Sequence, residues 1–190
     1  MAGKACQLTT SNKPEAFEAP QFPYHTGGVT LELFDEKHIG EEYLDSINDK
    51  EHMRFSEQRH RSHDSRTAMA HILAQREAGN FFLAVRINDV HIGNIGVDLD
   101  RTNRRANISI LIFKGAVGAG YGKKAFAAAI EFCKNLNGVS KIEAGTMADN
   151  FSMIALMTHA GMQPDGMRAR HYFSDGVMVD CVYYAIHKDT

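Results

Sequence analysis

The sequence predicts an α/β (α+β) domain in which a mixed central β-sheet carries helices on both faces. Three observations lead there. Alternating apolar runs at 29–34, 81–87 and 91–99, separated by short polar turns, have the pattern of an antiparallel meander. The run Ile-Ser-Ile-Leu-Ile-Phe at 108–113 is followed by a glycine-rich turn, and then by 123–136 with Phe126, Ala129, Ile130 and Cys133 at helical spacing. A further strand at 141–147 lies beyond that helix, so it runs parallel to 108–113.

In chain order, residues 1–28 are polar, hold Pro14, Pro20 and Pro23, and end in Gly27-Gly28. They are expected to be a poorly ordered tail or an arm lying on the domain, with 29–190 forming that domain. An arm reaching a neighbouring subunit, as in a homodimer, is compatible with this pattern and required by nothing in it. After the strand at 29–34, Asp35 can cap a helix running through Ile39, Tyr43, Leu44 and Ile47. A polar connection at 53–63 leads to a helix at 65–78 closed by Gly79. Asn88-Asp89 joins 81–87 to 91–99 as a hairpin, though without the usual Gly after Asp. The turn at 100–105 leads into 108–113, whose β-branched, aromatic-ended composition predicts a strand buried on most of both faces. Asn137-Gly138 turns the chain into 141–147, and Asp149 or Asn150 starts a helix ended by Gly161. Its Met153, Ile154, Met157 and Ala160 are expected to face inward as core. A closing hairpin at 167–173 and 177–186 turns at Ser174-Asp175-Gly176.

Composition narrows the function classes. A chain of 190 residues suits one domain with a full core. Its 21 Lys and Arg against 23 Asp and Glu give no basic excess of the kind a nucleic-acid surface needs. Cys6, Cys133 and Cys181 are scattered and odd in number, so neither a disulfide framework nor a cysteine metal site is indicated, and a reducing cytoplasm is the natural home. No run approaches the ~18 apolar residues of a membrane span.

The turn after 108–113 contains Gly115, Gly118, Gly120 and Gly122 and opens a helix. The first N–H groups of a helix have no partner inside it and carry the positive end of its dipole. Glycines at the entry let an anion approach the backbone with no Cβ in the way, so the segment from Gly118 through Ala119, Gly120, Tyr121 and Gly122 to Lys123 is a candidate phosphate cradle. A P-loop is excluded, because Val117 stands where its first glycine belongs and Lys123 is followed by Lys124. A dinucleotide fingerprint is excluded as well, since Lys123 occupies the place of its third glycine.

Gly120-Tyr121-Gly122 after a strand and opening a helix, followed by a strand, Asn150 and a short helix closing at Gly161, resembles the GNAT family of acetyl-coenzyme A dependent N-acetyltransferases. The family's loop reads Arg/Gln-x-x-Gly-x-Gly/Ala, and the Arg/Gln place here is Val117, a departure that leaves the main-chain donors intact. The resemblance covers about 29–188. It implies the GNAT-type sheet, acetyl-CoA as cosubstrate, no metal, and direct transfer of the acetyl group to an amine. It also implies that Leu111, Ile112 and Phe113 supply main-chain bonds to the pantetheine arm, and that Asn150 contacts that arm. Many relatives carry a general-acid Tyr four residues before the glycine that ends the last helix, and here that place is Met157.

Glu143 is the candidate general base, sharing a strand face with Gly145 and Met147 beside the cleft. Ser152, Tyr183, Tyr184 and His91 are weaker alternatives for proton transfer. In this family the connection between the first two helices borders the acceptor site, which makes Arg54, Arg59 and His60 candidates to hold a substrate, with Glu57 and His63 beside them. Their charge points to a small anionic amine such as a nucleotide-linked amino sugar. The alternatives are a peptide amino terminus, for which Glu41, Glu42 and Asp45 would form an acidic groove, and a coenzyme-binding module without catalysis. His60-x-x-His63 lacks a third ligand nearby, so no metal is expected.

Overall fold

The computed structural model describes residues 19–188. Its strands are β1 (Tyr24–Thr26), β2 (Val29–Leu33), β3 (Phe81–Ile87), β4 (Val90–Asp100), β5 (Arg105–Ile112), β6 (Lys141–Met147), β7 (Gln163–Ser174) and β8 (Val177–His187). Its helices are α1 (Glu41–Asn48), α2 (Ser65–Glu77), α3 (Tyr121–Lys134) and α4 (Phe151–His159). The strands form one sheet in the order β1-β2-β3-β4-β5-β6-β8-β7, with β5 and β6 parallel and the other neighbours antiparallel.

Each face buries a different set of helices. On one, Leu83, Val85, Ile95, Val97, Ala106, Ile108, Ile142 and Ala144 pack against α3 and α4. On the other, Ala84, Phe113 and the half-buried Phe82 and Leu111 pack under α1 and α2 through Tyr43, Ile47, Ala68 and Ile72. The alternation follows from the two-residue period of a strand, which sends Leu83 and Ala84 to opposite sides.

Several expectations change in detail. Within the segment expected to be a tail or arm, residues from 19 onward lie on the domain. Tyr24–Thr26 pairs with β2, while Phe22 and Tyr24 pack on Phe132 with centroids 5.7 and 5.6 Å apart. The sheet therefore begins before Val29, and residues 1–18 lie outside the described residues. The helix expected from Asp35 to Ile47 is two pieces. Asp35 caps a 3-10 turn at Glu36–His38, the backbone of Gly40 is extended, and α1 starts afresh with Glu41 and Glu42 at its positive end. The Asn88-Asp89 turn forms without glycine because both residues take the left-handed conformation, which short polar side chains tolerate.

The strand at 108–113 is not buried on both faces over its whole length. Ser109 is exposed and Leu111 and Ile112 are half-buried. The reason is that β6 pairs with β5 only at Arg105↔Lys141, Ala106↔Ile142 and Asn107↔Glu143, after which the two strands part.

Candidate active site

The parting of β5 from β6 leaves a gap between two parallel strands, each still paired on its far side, β5 with β4 and β6 with β8. Which main-chain groups enter the gap follows from alternation. Phe113 N–H donates to Ile92 O on β4 at 2.9 Å, so Phe113 and Leu111 direct their main-chain groups toward β4. Phe113 O accepts from Ala116 N at 2.8 Å, which uses its acceptor too. Ile110 and Ile112 face the gap instead. Of Leu111, Ile112 and Phe113, expected to bond the pantetheine arm, Leu111 and Phe113 turn to β4, and only Ile112, with Ile110, faces the gap. His52 supports the arrangement, its Nε2 donating to Ile112 O at 2.9 Å and thereby fixing the ring's tautomer.

At the open end of the gap stands the start of α3. Gly118 and Gly120 have φ of +90° and +76°, which favours glycine, and a Cβ at either would meet nothing within 4 Å. Gly120 caps the helix without any side-chain bond. Among the described residues no acceptor faces the N–H groups from Gly118 to Lys123. A row of unpaired, exposed donors at a helix N-terminus is suited to a phosphate or pyrophosphate. Val117 is 61% exposed, so the missing Arg/Gln side chain leaves an accessible rim and no hole in the cradle.

Asn150 caps α4, its Oδ1 accepting from Met153 N at 3.2 Å and its Nδ2 donating to Thr146 Oγ1 at 2.9 Å. Both ends of its side chain are engaged, and the residue sits at the β6 end of the gap. Met157, at the position of the family's Tyr, is fully buried.

The connection between α1 and α2 docks on the β7–β8 hairpin. Arg59 donates to Ser56 O and Glu57 Oε1, each at 2.9 Å, and to Phe173 O at 3.1 Å, and its side chain is only 10% exposed. Its guanidinium is thus spent on holding two segments together. Arg54 pairs with Glu51 and stacks over Phe55 at 4.6 Å, whereas His60 is exposed.

Glu143 lies in the last paired row of β5 and β6. Its Oε1 accepts from Arg105 at 3.1 Å and its Oε2 is 3.4 Å from Lys141, so taking a substrate proton would first break an ion pair. The same row holds residues that sequence reasoning missed. Asn107 sits between Glu143 on β6 and Asp98 on β4, and Asn80 Nδ2 donates to Asp98 Oδ1 at 3.1 Å. With Leu99, Asp100 and Arg105 these side chains line a recess of about 250 Å³. The signal available in the sequence was an acidic residue at 98 between the apolar Val97 and Leu99.

Beyond Glu143 on β6, the ring of Tyr183 lies over Gly145, where a Cβ would come within 2.6 Å of it. Burial, then contact with Cys181, pushes the Tyr183 phenol up to about 12, so it stays protonated near neutrality. Tyr172 is raised by the same two causes in the same order. A second recess, of about 570 Å³, is lined by Glu41, Glu42, Asp45, Ser46, Lys114 and Gly115. No group of three or more His, Cys, Asp or Glu suited to a metal exists among the described residues, and no helix among them is long and apolar enough to cross a membrane.

Comparison with known proteins identifies the family and the fold. Residues 29–163 match the family model of the acetyltransferase (GNAT) domain. No curated protein matches the chain. Solved structures of similar fold include RimL, a ribosomal-protein alpha-N-acetyltransferase in complex with coenzyme A, at 13% identity and TM-score 0.76, covering 85% of this chain and 95% of that one. Another is the spermidine N-acetyltransferase of Vibrio cholerae in complex with coenzyme A and spermine, at 15% identity and TM-score 0.73, with coverage of 85% and 96%. A third is the microcin self-immunity acetyltransferase MccE in complex with acetyl-CoA and AMP, at 16% identity and TM-score 0.74, with coverage of 86% and 94%. These likenesses speak for the fold, and the family match spans most of the chain. A parted strand pair leading from a glycine-lined helix start is the arrangement the family uses, and the chain belongs to the GNAT family as an acetyl-CoA dependent N-acetyltransferase.

Proposed function

We propose that the acceptor is a cationic primary amine, a polyamine or a peptide amino terminus, received over the sheet face beneath α1 and α2. The observation that carries this is the charge of the two recesses, where Asp98, Asp100 and Glu143 outnumber Arg105, and Glu41, Glu42 and Asp45 outnumber Lys114. An ammonium group gains from such walls, and an anionic acceptor would be repelled by them. The nucleotide-linked amino sugar, suggested by the charge of Arg54, Arg59 and His60, loses support because Arg59 is locked onto Phe173 and Arg54 onto Glu51. The Vibrio spermidine enzyme and RimL are similar folds whose acceptors are of the cationic kind.

In this reading the N–H groups of Gly118 to Lys123 hold the pyrophosphate, and the gap-facing main chain of Ile110 and Ile112 pairs with the pantetheine arm like an added strand. A main-chain N–H there polarises the thioester carbonyl, and aligned donors of this kind are worth roughly 3–4 kcal/mol. Asn150 shapes the other wall. Tyr183, protonated and lying over Gly145 of β6, is the phenol assigned to protonate the departing thiolate. The free, buried thiols of Cys133 and Cys181 suit a reducing cytoplasm. A homodimer would use the β7–β8 hairpin at the sheet's edge, where Met167, Phe173 and Val177 are exposed, and light scattering decides it.

Thiol release from acetyl-CoA, measured with spermidine, with a peptide bearing a free amino terminus and with a nucleotide amino sugar, tests the acceptor class. Release with either of the first two is expected. Release confined to the amino sugar would overturn the cationic assignment.

A further inference from the structure

An alkylammonium with a pKa near ~10 must lose a proton before its nitrogen can attack a thioester. The structure contains a carboxylate placed for that step, and it is not Glu143. Asp98, Asn107 and Glu143 stand in register across β4, β5 and β6, in the last row before β5 and β6 part. Side chains at paired positions share a face, so the three project together at the apex of the gap, on the side away from α3.

Their partners differ. Glu143 is held by Arg105 and Lys141, and Asp100 by Arg105 at 2.7 Å. Asp98 has no ion pair among the described residues. It is held by neutral amides, Asn80 Nδ2 at 3.1 Å and the Asn107 side chain. The charged groups around it are Asp100, Glu143 and Arg105 in the recess and His71 on α2, with His63 beyond His71. Asp98 is exposed at the rim of the recess, yet the partial desolvation there raises its pKa above the usual aspartate value, with the charge of His71 and the bond from Asn107 pulling the other way.

On the strand beside Asp98 the floor is closed, since Gly96 is buried and Ser109 Oγ and Phe82 take up the space over it. Two residues back on the same face is Gly96, with exposed Ser109 directly across from it on β5. Two further back is Asn94, 8% exposed, whose Oδ1 has no hydrogen-bond partner. A buried amide oxygen left without a donor is costly unless something supplies one. From Asn94 to Asp98 is roughly 13 Å of strand, with the missing side chain at Gly96 in the middle. An ammonium entering the recess meets at its rim the Asp98 carboxylate, which has amide partners and no paired cation among the described residues.

We propose that Asp98 is the base that takes the proton from the acceptor's ammonium group, with Asn80 and Asn107 as positioning residues for its carboxylate. The inference rests on the reading that the acceptor enters over this face. The R–NH3+ group gives one proton to the Asp98 carboxylate, and the neutral nitrogen attacks the thioester carbon. The C–N bond forms as the C–S bond breaks, the thiolate takes the Tyr183 proton to leave as coenzyme A thiol, and the second nitrogen proton restores the phenol. The proton on Asp98 returns to solvent through the open recess.

Asp98→Asn keeps the shape and tests the charge. With spermidine, or with the peptide or amino sugar if that is the amine the wild type uses, kcat/KM at pH 7 is expected to fall by about 10²-fold. The deficit should shrink as pH rises and free amine accumulates, while the Kd for coenzyme A stays unchanged. Glu143→Gln should cost less and leave the pH profile alone. Equal rates for wild type and Asp98→Asn at pH 7, or an identical pH profile, would overturn the assignment. A loss of coenzyme binding in Asp98→Asn would also overturn it, by showing a structural role. A titration of the Asp98 carboxyl by carbon-13 NMR in the free protein needs no acceptor. A midpoint at or below the ordinary aspartate value of about 3.9 would likewise reject the base, independently of which amine is used.

Discussion

At the α3 end of the gap the polar groups are main-chain N–H donors, exposed because Gly118 and Gly120 turn left-handed, whereas at the apex they are side chains, Asp98, Asn107 and Glu143, each from a different strand. The first site depends on backbone conformation and tolerates an unusual side chain such as Val117. The second depends on register, and a one-residue slip of any strand would send its side chain to the other face. In the proposed reading, cosubstrate recognition and acceptor recognition are thus encoded in different ways within one cleft.

The largest effect that would break this contrast is expected from Gly120→Val. A β-branched residue at φ of +76° strains the backbone with no clash to relieve, since open space surrounds the added Cβ. Calorimetry should show coenzyme A affinity reduced by about tenfold or more, equivalent to at least ~1.4 kcal/mol, with the apex side chains undisturbed. An unchanged Kd would mean that the cradle does not bind the coenzyme.

Gly145→Ala should act at the opposite end. The new methyl meets the Tyr183 ring at 2.6 Å and must displace it. We expect kcat/KM for the amine to fall roughly threefold to tenfold, as for other modest active-site displacements, with coenzyme affinity retained. A parallel loss of coenzyme binding would show that the two ends are not separable.

Acid sensitivity offers another contrast. His91 packs against Phe113 at 4.7 Å and donates from Nε2 to Gly93 O at 3.0 Å, behind the end of β5. Burial, followed by the neighbouring His38, lowers its pKa from 6.5 to about 4. The folded state therefore binds fewer protons than the unfolded chain between these values, and stability is lost as pH falls through that window. Allowing for partial exposure, the loss is on the order of 1–2 kcal/mol. Urea unfolding at pH 7 and pH 4 should show the drop in the wild type, and His91→Gln should reduce it.

The smallest expected effect would sharpen the picture. Val117→Arg adds a cation at an exposed rim beside the main-chain donors. Coenzyme affinity should improve by only about twofold to fivefold, as for an exposed charge pair of ~0.4–1 kcal/mol. A gain of a hundredfold would mean that the main-chain cradle is incomplete without the side chain.

By itself the sequence determined the strand, the glycine turn and the helix at 108–136, because these depend on neighbours within a few residues. The same holds for the cap at Asn150 and the hairpin turns. Tertiary structure alone decided which main-chain groups of β5 enter the gap. Alternation there is set by pairing with β4, itself offset by a bulge at Ile92 where β3 and β4 change register. It also decided that Arg59 is spent on Phe173 O, a partner 114 residues away, and that Asp98 stands in one row with Asn107 and Glu143. Contacts between residues far apart in sequence follow from register and packing, and neither is written in the local pattern of a single chain segment.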